Sequence, residues 1–316
     1  MRTLSGDPCF TCGQEELERA FRLALGTLVT NTKRLRAGDR DLPCLMAGLD
    51  YPSPWTRDAS INVYFAAALL DPETARNTLC SVLEPREDGP VIGGQYWDRI
   101  IWALGAERLW LVTGDESFLR LAFGAIRRTA RDCLREEYDP ADGLFRGAAV
   151  YGDGVSAYPE KYRNPSLSSG ILRWPAEHPD LRASVGGGLP MKALSTNCAY
   201  VQAFRALARM AAALGEEAEP WERRAEELKA AINRAFWNPA SGTYDYLAGE
   251  CDAQESLGLA FAILFGVADG ARARSVLERA RLTSHGIPCV WPSFLPYRLS
   301  GYGRHSGTVW PHIQGF

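Results

Sequence analysis

Residues 51–70 read YPSPWTRDASINVYFAAALL, and from Ala59 to Leu70 the run is almost wholly apolar. A segment of that composition and length predicts a helix destined for the core. Yet its mouth carries a charged pair, Arg57 and Asp58, behind Trp55. Asp58 has a local reason: a carboxylate in a first helical turn meets free backbone N–H groups and the favourable end of the dipole. Arg57 has none, because its charge opposes the dipole there. A guanidinium and a carboxylate side by side can hold two vicinal hydroxyls bidentately. The stretch therefore predicts a core helix whose N-terminal mouth meets a ligand, with Tyr51 and Trp55 as aromatic walls.

Outward from this stretch the chain reads as helix after helix. Apolar spacing predicts helices over 14–36, 57–70, 72–83, 95–112, 115–136, 193–214, 220–236, 254–265 and 271–280, with another starting in GTVWPHIQGF at 307–316. Pro72 suits a first turn, and TGD at 113–115 reads as a stop followed by a cap. Short turns join these helices, so successive ones are expected to pack antiparallel. Two helices end alike, in EEYDPADGLF (136–145) and AFWNPASGTY (235–244), with Asp or Asn before Pro and Gly shortly after. Repeated helix pairs of this kind predict an all-α solenoid or closed toroid, with no convincing alternating strand. The exception is residues 139–189, rich in Gly, Pro, Ser and Tyr, where Tyr151, Tyr158, Tyr162 and Trp174 argue for an ordered, functional loop.

Composition narrows the classes of function. The chain has 316 residues, 46% hydrophobic and 23% charged, with a formal net charge of -3. No apolar run approaches the roughly 18 residues of a membrane span, and there is no basic tract for nucleic acid or anionic lipid. Only Cys9 and Cys12 of the eight cysteines form a C-x-x-C, and no second pair follows at zinc spacing. The four histidines do not form a metal signature either, and GGG at 186–188 lacks the strand and lysine of a phosphate loop. No metal or organic cofactor is implied. With no secretory signal at the N-terminus, a reducing cytoplasm is the expected compartment.

Aromatic and polar residues cluster between the helices, in WTRD, GGQYWD, YGDG and RHSGTVW. Taken singly, each aromatic reads as a staple between helices. Together at the junctions they suit a sugar, which offers CH faces for stacking and hydroxyls for carboxylate and amide edges. YPSPWTRDASI resembles the glucose-holding segment of glucoamylases (glycoside hydrolase family 15). GRHSGTVWPHIQGF is similar to the H-x-G-x-V-W-P-H segment of family 63, mannosylglycerate-hydrolase-like and glycogen-debranching enzymes, and GGQYWDRIIWALGAERLWLVTGDESFL to their second hairpin. The matches run in order from about residue 45 to the end. The resemblance is to the six-hairpin glycosidases and implies a single (α/α)6 toroid over residues 1–316. It places Trp55, Arg57 and Asp58 at the terminal-sugar subsite, Gln95, Trp97 and Asp98 in the same pocket, and Trp310 and His312 on its far wall.

The activity implied is exo-acting hydrolysis, with inversion, of a terminal glucose-like sugar from an oligosaccharide or small glycoside. Inversion needs an acid and a base. Asp153, between glycines and near Tyr151 and Tyr158, matches by position the aspartate acid of related enzymes, although their local signature is missing; Asp98 and Glu160 are weaker alternatives. The base is the gap. In the resembled enzymes it is a glutamate after the W-P-H helix, and nothing follows Phe316. Glu255 is the one tempting late carboxylate, and it reads rather as a cap of the helix beginning there. The expectation is a fragment, its toroid incomplete and its base beyond residue 316. Two rivals stay open: a phosphorylase holding phosphate on Arg304, His305 and Ser306, and a non-catalytic sugar-binding or helical scaffold.

Overall fold

The computed structural model describes residues 8–94, 96–150, 158, 159, 162, 189–284, 286–292 and 294. Its contacts group the chain into two compact units, one of Met1–Thr129 with Arg209–Glu216, the other of Ala130–Ala208 with Glu217–Phe316. Nine helices are present among the described residues, and their ranges follow the sequence periodicity closely. No described helix is long and apolar enough to cross a membrane.

In the first unit, α1 (Glu15–Asn31) is followed by β1 (Thr32–Ala37) and β2 (Arg40–Leu45). The expected helix over 14–36 therefore stops five residues early. Gly38, at φ 60°, closes a tight turn, and six residues of each strand then pair antiparallel from Thr32↔Leu45 to Ala37↔Arg40. Ladder pairing across that turn overrides the helical period, since the alternation in TKRLRA serves a strand equally well.

The opening stretch forms α2, helical over Thr56–Asn62, with a π turn at Val63–Ala67 and a last turn at Ala68–Leu70. After it, α3 (Pro72–Ser81) is capped by Asp71, whose side chain accepts from Thr74 N at 3.2 Å. The hairpin of β3 (Leu83–Glu84) and β4 (Val91–Ile92) leads into α4 (Asp98–Thr113), most of whose side chains are buried. Helix α2 packs on α4 at nearly bare backbone. A Cβ at Gly105 would lie 2.6 Å from the Ser60 carbonyl, and the Ser60 hydroxyl donates to Ile101 O (2.6 Å) and accepts from Gly105 N (3.0 Å). The TGD signal behaves as expected: Gly114 ends α4 in the left-handed conformation, and Asp115 accepts from Phe118 N in the first turn of α5 (Glu116–Glu136).

The second unit repeats one device. Its hairpins β5–β6 (Tyr138–Asp139, Leu144–Phe145) and β7–β8 (Trp237–Asn238, Thr243–Tyr244) are the two Pro–Gly turns singled out in the sequence. In each, the Asp139 or Asn238 side chain accepts from the backbone two residues on, and Gly143 or Gly242 takes a positive φ. These two-residue strands, with β1 to β4 and the β9–β10 pair (Gln254–Glu255, Val290–Trp291), add small two-stranded sheets to the expected all-α fold. The unit's helices are α6 (Leu194–Leu214), which runs on into the first unit's Arg209–Glu216 segment, α7 (Glu219–Ala235), α8 (Ser256–Leu264) and α9 (Gly270–Arg279). The first turn of α6 holds the chain that precedes residue 151. Asn197 bonds both backbone groups of Phe145, Thr196 donates to Ala148 O, and the Ser195 hydroxyl accepts from Val150 N.

Candidate sugar-binding pocket

The close approach of Ser60 to Gly105 brings the N-terminal ends of α2 and α4 together, and the Thr56 hydroxyl donates to Gly93 O at 3.0 Å across the gap. Over that junction lies an open pocket of about 520 Å³, within the size range of small-molecule sites. Tyr51, Trp55 and Thr56 line it from the α2 side, Asp98 and the Gly93–Gly94 backbone from the α4 side, and Glu84 from the β3–β4 hairpin. Tyr51 and Trp55 stand 46% and 43% exposed, their rings edge to face at 5.8 Å. Two large aromatic faces are thus left to solvent on one rim, beside a carboxyl group that is only 8% exposed, that of Asp98.

The other expected site residues divide. Arg57 and Asp58 are half-buried in the first turn of α2, and Arg57 packs over the Trp97 ring at 5.9 Å; neither lines the pocket. Trp55, not Asp58, is the N-cap residue of α2. Trp97 is a core side chain, 1% exposed, whose indole N–H has no hydrogen-bond partner among the described residues. Gln95, Asp153, Glu160, Trp310 and His312 lie outside the described residues, as do Tyr151, Trp174, Arg304, His305 and Ser306. On either side of Gln95, Gly94 takes φ 108° and Tyr96 φ 33°. A non-glycine residue in that region is strained, and such strain gathers where a chain must aim side chains.

Two aromatics of the long segment play a packing role. Tyr158 and Tyr162 are each 2% exposed; Tyr158 stacks on Tyr246 at 6.0 Å, and the Tyr162 hydroxyl donates to Glu250 at 2.8 Å. Glu255 also differs from its reading. It makes no side-chain cap on α8; its Oε2 accepts from Ser195 N at 3.1 Å, at the start of α6. Glu84 was missed altogether. The signal was present in LEPREDGPVIGG, a third Pro–Gly turn after a helix, one residue longer than the other two. Among the described residues no group of three or more His, Cys, Asp or Glu could hold a metal ion.

Comparison with known proteins gives the frame for this pocket. Over 130 residues the chain is 32% identical to the mannosylglycerate hydrolase of Rubrobacter radiotolerans, a match covering 38% of this chain and 29% of that protein. Among solved structures, a sialidase superposes over 97% of this chain and 27% of its own, with a TM-score of 0.68 at 16% identity. The chain thus spans under a third of each of these two relatives. The GH63 mannosylglycerate hydrolase of Thermus thermophilus, solved with glucose, superposes over 92% of this chain and 84% of its own, with a TM-score of 0.62 at 16% identity. These likenesses show the fold, the all-α (α/α)6-toroid class that the sequence predicts. The model of the mannosylglycerate hydrolase MGH1-like glycoside hydrolase domain matches residues 51–314, and the chain belongs to that family.

Proposed function

We propose that the chain, as one catalytic domain, is a glycosidase that releases a terminal glucose-like sugar from an oligosaccharide or small glycoside with inversion. The observation that carries this reading is the pocket itself. It joins Tyr51 and Trp55 from one segment to Asp98 from another, in a cavity sized for a small ligand. Tyr51 and Trp55 offer the apolar face against which a sugar ring lies, and Asp98 an acceptor for its hydroxyls. Family membership, with relatives named as mannosylglycerate hydrolases, supports glycosidic chemistry. Asp153 is proposed as the acid that protonates the leaving oxygen, with water as nucleophile activated by a second carboxylate.

The test is the product anomer, followed by proton NMR during turnover of a terminal glycoside of defined configuration. The inverted sugar should appear first and then mutarotate. A retained product overturns inversion. Turnover that requires inorganic phosphate moves the chain to the phosphorylase rival, and sugar binding without any turnover by a full-length version that supplies the second carboxylate moves it to a binding scaffold.

A further inference from the structure

Strand β1 brings one side chain to the pocket. In TKRLRA, strand alternation sends Lys33 and Leu35 to one face and Arg34 and Arg36 to the other. The arginine face is exposed, and Arg36 pairs there with Asp39 and Asp41 at 3.7 and 3.8 Å. Lys33 and Leu35 are half-buried. Lys33 Nζ donates to the carbonyls of Leu49 (2.6 Å) and Tyr51 (3.2 Å), which ties the strand to the loop ahead of α2. Leu35, paired with Leu42 across the hairpin, lines the pocket, as do Pro52 and Pro54. The lining therefore divides by chemistry. Thr56, Asp98 and the Gly93–Gly94 backbone bring polar groups to it, and Glu84 lies over Gly93, where a Cβ would stand 2.7 Å from its Oε1. The side chains of Leu35, Pro52 and Pro54 carry no donor or acceptor at all.

We infer that Leu35, with Pro52 and Pro54, forms the subsite for the group to which the sugar is attached, and that this aglycone is an apolar alkyl or aryl group. The inference rests on the sugar-pocket reading above and adds an aglycone class to it. A pyranose is polar around its edge and apolar only on its CH faces. Tyr51 and Trp55 already offer rings to those faces, and the edge needs hydrogen-bonding partners. A wall without any suits neither part of the sugar. It suits an aglycone, for which the cavity of about 520 Å³ leaves room beyond one pyranose ring. Apolar surface left open and rimmed by polar groups marks ligand grooves. Each aglycone methylene that leaves water there tightens binding by up to about fourfold. Because Lys33 ties β1 to Tyr51, one unit of hairpin and loop presents both the sugar platform and the aglycone wall.

The experiment is calorimetric titration of the whole chain with glucose, methyl glucoside and hexyl glucoside, the glycosides in both anomeric forms. In the anomer that binds, hexyl glucoside should bind at least about tenfold more tightly than methyl glucoside. Leu35→Thr suits a strand and removes apolar contact, so it should abolish most of that gain and leave methyl glucoside within about twofold. Leu35→Met, which keeps an apolar side chain of similar volume, should retain the gain. A hexyl gain under about twofold in the parent chain overturns the apolar subsite and leaves the sugar-pocket reading standing. A full gain in Leu35→Thr places the alkyl chain elsewhere and overturns the role of Leu35. A gain lost in Leu35→Met as well overturns it too, because apolar contact is then not what is read. Binding by none of the three ligands overturns both the subsite and the reading it rests on.

Discussion

Glu255 shows how far one side chain can depart from its sequence context. The residue is 1% exposed, and its contacts include the Ser195 backbone N–H, while Oε1 has no hydrogen-bond partner among the described residues. Burial pushes the group up to about 8; hydrogen bonds from Ser195 pull the other way without offsetting it. The folded state therefore holds a proton that the unfolded chain releases near the ordinary glutamate value. Because the folded pKa is the higher one, the stabilisation is complete in acid and is lost as pH rises from about 4.5 through about 8. The loss across that window is on the order of 3 to 5 kcal/mol. Glu255→Gln keeps the shape and removes the titration. Melting temperatures between about pH 5 and pH 9 should fall for the parent chain and stay flatter for the variant. Equal slopes would show that Glu255 is not the group responsible. Nothing in AQESLGLAF announces this, because the group that Glu255 Oε2 accepts from, Ser195 N at the start of α6, lies 60 residues away in the chain.

At the scale of elements, the pocket depends on how closely α2 and α4 approach. Gly105 sits in IWALGAERLW as one small residue among large ones, and periodicity alone gives it no role. In the fold it lets the Ser60 backbone come within what would be 2.6 Å of a Cβ. Neither partner is a flexible side chain, so Gly105→Ala must push the helices apart. It should cost about 1 to 3 kcal/mol, less the small helix-propensity gain of alanine, in a denaturant titration. It should also weaken sugar binding, because Thr56 and Asp98 begin the same two helices. A variant as stable as the parent, with unchanged binding, would show that this contact does not set the pocket. The helices were legible because a 3.6-residue period repeats over ten to twenty positions. The two-residue strands were not, since a strand that short has no period and is defined by its partner. The same holds for Glu84, which reaches the pocket through a hairpin and a glycine rather than through any motif of its own.

For the molecule as a whole, holding a sugar and cutting its bond are separable tasks. Tyr51, Trp55 and Asp98 were legible as candidates because aromatics and carboxyls gathered at helix junctions in WTRD and GGQYWD. That Trp97 is core and Arg57 its cover was not legible, since adjacent residues of one motif can face opposite ways. None of the pocket residues supplies a proton to a leaving group in the proposed reaction; that role falls to Asp153. An acid that acts only as the glycosidic bond breaks contributes to the transition state and little to ground-state binding. In a full-length version that supplies the base, Asp153→Asn should therefore lower turnover of an alkyl glycoside by about a hundred- to ten-thousandfold. Glucose affinity measured by calorimetry should stay within about threefold. A dinitrophenyl glycoside, whose leaving group departs without a proton, should lose far less than the alkyl glycoside. That contrast separates an acid from a residue that merely supports the fold, because structural damage would slow both substrates alike. Equal losses on the two substrates would move the acid to another carboxyl, and unchanged turnover would remove Asp153 from the chemistry.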